Sequence, residues 1–79
     1  MTTAQQRMLD ILARQSAREV QRHADSSGYV AAWDVCEAWG QSMPLGFVPY
    51  AAWKCMAALK RAGLVDSHPE HEELVRPCA

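Results

Sequence analysis

Seventy-nine residues allow one small domain, which buries roughly 60–65% of the surface its unfolded chain would expose. Eight Lys and Arg against nine Asp and Glu give a formal charge of −1, so the total lacks the strong basic excess of many nucleic-acid binders. A hydrophobic fraction of 49% suffices for a single core, with Trp33, Trp39 and Trp53 expected to supply much of its area, but leaves little room for a substrate cavity.

From about Thr3 to Ala24 the chain reads as one long amphipathic helix. Leu9, Leu12, Ala13, Ser16, Val20 and Ala24 recur at three- and four-residue steps and define its expected buried side. Arg7, Arg14, Arg18 and Arg22 share the opposite side, and Ile11 projects among them. Asp25, Ser26, Ser27 and Gly28 end this helix, with His23 at its border. Tyr29-Val30 reads as a very short strand. A second helix follows from Ala32 to Trp39, with Val35, Cys36 and Trp39 inward and Gly40 as its stop.

Residues 41–49 form a long loop punctuated by Pro44, Gly46 and Pro49, and Pro49 suits the first turn of a third helix running to Ala62. Ala52, Cys55, Met56 and Leu59 face its core side. Gly63 supplies the left-handed residue that closes a helix, because glycine adopts that backbone without a steric cost. Leu64-Val65, a turn through His68-Pro69-Glu70-His71, and Leu74-Val75 make a hairpin that Pro77 ends.

A helix emptying through Leu59-Lys60-Arg61-Ala62-Gly63-Leu64-Val65 into a small hairpin resembles the winged helix-turn-helix superfamily. The matching stretches are Gly28-Tyr29-Val30, DVCEAWG (34–40), AAWKCMAALKRAGLV (51–65) and the returning ELVRP (73–77), together covering roughly Gly28 to Pro77. The resemblance implies one domain over 1–79, mainly α with a two-stranded wing: residues 1–25 as the support helix and 28–79 as helix-turn-helix and wing. It also implies a cytoplasmic DNA-binding regulator, expected to act as a homodimer because one third helix offers few base contacts. The same scaffold serves as a protein-docking module, so a phage-type inhibitor or adaptor bound to a host complex stands beside that expectation.

The third helix carries the candidate contact residues. With Ala52, Cys55 and Leu59 inward, Tyr50, Lys54, Ala57 and Arg61 lie along the outer side, flanked by Trp53 and Lys60. In a major groove Lys54 and Arg61 suit guanine or phosphate, Tyr50 suits phosphate, and Ala57 permits close approach. Trp53 equally suits a protein interface or simple packing against Phe47. Arg14, Arg18 and Arg22 are candidates for phosphate or an acidic partner, against the plainer expectation of a solvated charged face. Asp66, Glu70, Glu72 and Glu73 make the hairpin acidic, which would repel phosphate.

No metal, cofactor or catalytic role is expected. His68, His71 and Cys78 match no zinc-binding spacing, and Cys36 and Cys55 fall on apolar helix faces with no histidine placed to activate them. Three unpaired cysteines suit a reducing compartment, and neither a secretory leader nor a membrane span is expected.

Overall fold

The computed structural model describes residues 1–25, 27–42 and 49–78. Among these the chain is mainly helical: α1 (Thr3–Arg22), β1 (Val30–Ala31), α2 (Ala32–Gln41), α3 (Pro49–Arg61), β2 (Val65–Ser67) and β3 (Leu74–Pro77). Of the expected loop 41–49, Gln41 ends α2 and Pro49 begins α3, and residues 43–48, including Phe47, lie outside the described residues. No helix among those described is long and apolar enough to cross a membrane.

Helix α1 opens on a reciprocal cap: the Thr2 hydroxyl accepts from Gln5 N–H at 3.1 Å, and Gln5 Oε1 accepts from Thr2 N–H at 3.1 Å. It buries Met8, Ile11 and Leu12. This corrects the expected register. Ile11 belongs to the core rather than to the arginine side, whereas Ala13, Val20 and Ala24 are exposed. The helix also stops at Arg22, two residues before the expected end, with His23 as its extended C-cap.

Helix α2 runs through Gly40, which is buried inside the helix, and ends at Gln41. The glycine therefore does not stop the helix as expected. Val35, Cys36 and Trp39 do point inward, and the Trp39 indole donates to the Ala4 carbonyl at 2.9 Å, tying α2 to the first turn of α1. In α3, Ala52, Cys55, Met56 and Leu59 are buried as the periodicity predicts.

The exit from α3 follows directly from Gly63. At φ +76° it lets Gly63 N–H reach Lys60 O (3.1 Å) and Leu64 N–H reach Leu59 O (3.0 Å), the paired bonds of a Schellman closure. Leu64 packs on the core and Val65 begins β2. The sheet is three-stranded and antiparallel, in the order β1-β3-β2, rather than a two-stranded hairpin. Val30 lies opposite Val75 and Ala31 opposite Leu74, so the short strand before α2 is tied to the chain's last strand, and Pro77 is part of that strand. Val65 and Val75 point into the core beneath the helices.

Candidate ligand-binding face on the third helix

Because the inward stripe of α3 is fully occupied, its remaining side chains are presented outward. Tyr50, Lys54, Ala57 and Arg61 are all exposed, Tyr50 at 73%, and Lys60 is half-buried at the edge. Lys54 Nζ stands 5.3 Å from the centre of the Tyr50 ring, a cation on an aromatic face one helical turn away. Lys54, Lys60 and Arg61 are the charged residues of α3, which contains no carboxylate. Lys60 and Arg61 also sit in the last turn, where the helix dipole favours cations.

Trp53 is not buried core. It is 41% exposed and meets Trp33 of α2, itself 45% exposed, with ring centres 6.1 Å apart and planes tilted by 39°. Of the three tryptophans only Trp39 fills the interior. Trp33 is the functional candidate that sequence reasoning missed. Its position next to Ala32, at the start of a short helix, gives no periodic signal that it stands beside α3. Its indole donates to Glu37 Oε2 at 3.1 Å.

The arginines of α1 occupy a different place. All four are exposed, yet they are not arrayed on the side opposite the body. Arg7 donates to the Ser42 carbonyl at 3.0 Å, joining α1 to the end of α2. Arg18 and Arg22, with Gln15 and Glu19, line a groove of about 340 Å³ against Tyr29, Val30, Ala31, Asp34 and Leu74. That groove holds two cations and two carboxylates, so its charges offset one another. Arg14 remains a simple exposed side chain.

The hairpin's acidity is partly compensated. Arg76 Nε lies 3.5 Å from Asp66 Oδ2, and its guanidinium sits 4.4 Å from the centre of the Tyr29 ring. The Tyr29 hydroxyl donates to the same carboxylate at 3.4 Å. At the turn, His71 Nδ1 approaches Glu73 Oε1 at 3.6 Å, leaving Glu70 and Glu72 as exposed acids. Among the described residues no group of His, Cys, Asp or Glu is arranged to hold a metal ion. Burial raises the Cys36 thiol to about 11, with the neighbouring Cys55 adding to the effect, and burial raises Cys55 as well. Both thiols are therefore neutral at ordinary pH, the state in which cysteine is a weak nucleophile.

Comparison of the chain with protein-family models, with curated proteins and with solved structures finds no match.

Proposed function

We propose that this protein is a winged helix-turn-helix DNA-binding module that presents α3 to the major groove, as a regulator of transcription. One observation carries the reading: the outward side of α3 is open, cationic and free of carboxylates in a chain whose net charge is −1. Charge segregated in this way puts Lys54 and Arg61 on one exposed side, with Lys60 at its edge, and leaves Glu70 and Glu72 on the hairpin turn. The element order, with β1 before α2 and a hairpin following the glycine-closed α3, supports the winged arrangement. Lys54 and Arg61 would contact phosphate or guanine, Tyr50 phosphate, and Ala57 would let the helix approach base edges closely. A two-fold pair of such modules would double these contacts.

A second reading, docking on a protein, is favoured by the half-exposed Trp33–Trp53 pair, since tryptophan and tyrosine anchor interfaces out of proportion to their number. Salt separates the two. Duplex binding through n phosphate contacts weakens with a log–log slope of about −0.9n, whereas an aromatic anchor responds little. Titration of a fluorescent random duplex at several salt concentrations is expected to give a slope of about −2 to −3. Lys54→Glu should weaken binding at least tenfold at low salt by replacing an attraction with a repulsion. Absence of binding at low salt and high protein concentration would overturn the DNA reading.

A further inference from the structure

The hairpin turn holds two histidines in contact. His68 and His71 have ring centres 5.1 Å apart, and the half-buried His68 ring also meets Tyr29 edge to face at 4.9 Å. Both backbones are tied to one residue: His68 N–H donates to the Leu74 carbonyl at 2.9 Å, and Leu74 N–H donates to the His71 carbonyl at 2.9 Å. Between the histidines Pro69 has no N–H to give, so Glu70 supplies the first backbone donor after His68. That Glu70 N–H donates to His68 Nδ1 at 3.0 Å. A side chain accepting from the backbone two residues on is the closure that Asp and Asn make in turns, here made by an imidazole. Unlike an amide oxygen, this acceptor titrates. A ring nitrogen accepts only while it carries no proton, so the bond requires a neutral His68 with its proton on Nε2.

We infer that the hairpin turn is a pH-sensitive switch, closed by neutral His68 and released when that ring takes a proton at Nδ1 as pH falls. Protonation turns Nδ1 from acceptor to donor and sets two N–H groups against each other. His71 responds in the opposite sense: its Nδ1 lies 3.6 Å from Glu73 Oε1, so a charged His71 gains an ion pair there. Two charged rings in contact also repel, which drives His68 and His71 apart. The charged groups around His68 come from several elements. Its own turn carries Glu70, Glu72 and Glu73. On Tyr29 stand Asp66 of β2 and Arg76 of β3, paired with each other and both in contact with that residue. The groove that Tyr29 lines adds Arg18, Glu19 and Arg22 of α1 and Asp34 of α2. The carboxylates of the turn can accept the displaced Nδ1–H, whereas Arg76 repels an imidazolium held against Tyr29. The two Leu74 bonds use no side chain, so they survive protonation and confine the change to residues 68–73. The device is independent of what α3 binds.

The test is nitrogen-15 NMR of the full chain, following the His68 ring nitrogens and the Glu70 amide from about pH 8 to about pH 5. At the alkaline end His68 Nδ1 should show the shift of an unprotonated nitrogen. As the ring takes its proton, protection of the Glu70 amide, corrected for the intrinsic pH dependence of exchange, should fall about fivefold, the factor that one ordinary hydrogen bond is worth. His68→Asn keeps an acceptor that does not titrate, so its Glu70 amide should hold the same protection at both ends of the range. His71→Gln should retain the fall, because the acceptor is still His68. A proton on His68 Nδ1 at the alkaline end overturns the inference in the parent chain, whatever the variants do. A Glu70 amide indifferent to the His68 titration overturns it as well. An equal fall in His68→Asn, or its disappearance in His71→Gln, assigns the change to other groups of the turn and overturns it too.

Discussion

Gly63 and Gly28 both hold a positive φ, +76° and +82°, yet a side chain would meet different surroundings at each. A Cβ at Gly63 has nothing within 4 Å, so alanine there meets only the backbone cost of the left-handed region. A Cβ at Gly28 would come within 2.7 Å of Ser16 Oγ, the atom that donates to the Gly28 carbonyl. Alanine at that position must displace Ser16 and break the bond that fastens the turn to α1. Gly63→Ala is expected to destabilise the fold by about 1 kcal/mol, and Gly28→Ala by roughly 2–3 kcal/mol. Urea midpoints of the two variants measured side by side check the order. Equal losses would show that the Ser16 contact contributes nothing. The closure at Gly63 was readable from sequence, since glycine between a leucine-bearing helix and an apolar pair has few other uses. The Ser16 contact was not, because it joins residues 12 apart through a turn that no local pattern specifies.

At the scale of elements, α3 and the strand pairing after it were legible, α2 was legible apart from its run through Gly40, and α1 was legible as a helix with Leu9 and Leu12 inward but not in the rest of its buried side. In α3 the inward residues alternate with charged or exposed ones, so the periodicity has one solution. In α1 the apolar residues are spread widely: Leu9 and Leu12 lie inward as expected, but from there one stripe continues through Ala13 and Val20 and the other takes in Met8 and Ile11. The choice between them is made by neighbours distant in sequence. The first turn is held by Trp39 through Ala4 O, and this fixes the rotation that sends Met8, Ile11 and Leu12 inward. Beyond Leu12 the helix passes over the sheet edge, where polar Gln15, Arg18, Glu19 and Arg22 line a groove and Val20 is 45% exposed. Ile11→Ala should therefore cost about 2–4 kcal/mol, and Val20→Ala no more than about 0.5 kcal/mol. Thermal unfolding of the pair decides between the two stripes, and a costly Val20→Ala with a harmless Ile11→Ala would restore the other one. The same nonlocality hid Trp33 from the candidate site, since its neighbour Trp53 lies 20 positions along the chain.

For the whole molecule, a radius of gyration of 11.8 Å agrees with the roughly 11.6 Å expected of a compact chain of this length, so α1 packs rather than projects. In a core this small, Cys36 and Cys55 sit together among Val35, Ala52, Met56 and Leu59, and their state of charge concerns the entire fold. Burial raises the Cys36 thiol from 9.0 to about 11, the nearby Cys55 pushes it further in the same direction, and Lys60 opposes weakly. The raised value means that the folded state retains a proton which the unfolded chain releases earlier. Stability from this group is complete below about pH 9 and is lost as pH rises toward 11, with the unfolded state binding fewer protons throughout that window. The loss should be on the order of 2 kcal/mol by pH 11, enlarged by Cys55, whose thiol is raised in the same sense. Urea unfolding under reducing conditions at pH 8 and pH 11 measures it. Cys36→Ala removes the largest titrating contribution, so its decline across the same interval should be visibly shallower than that of the parent chain. An equally steep decline in the variant would trace the alkaline instability to groups other than the Cys36 thiol.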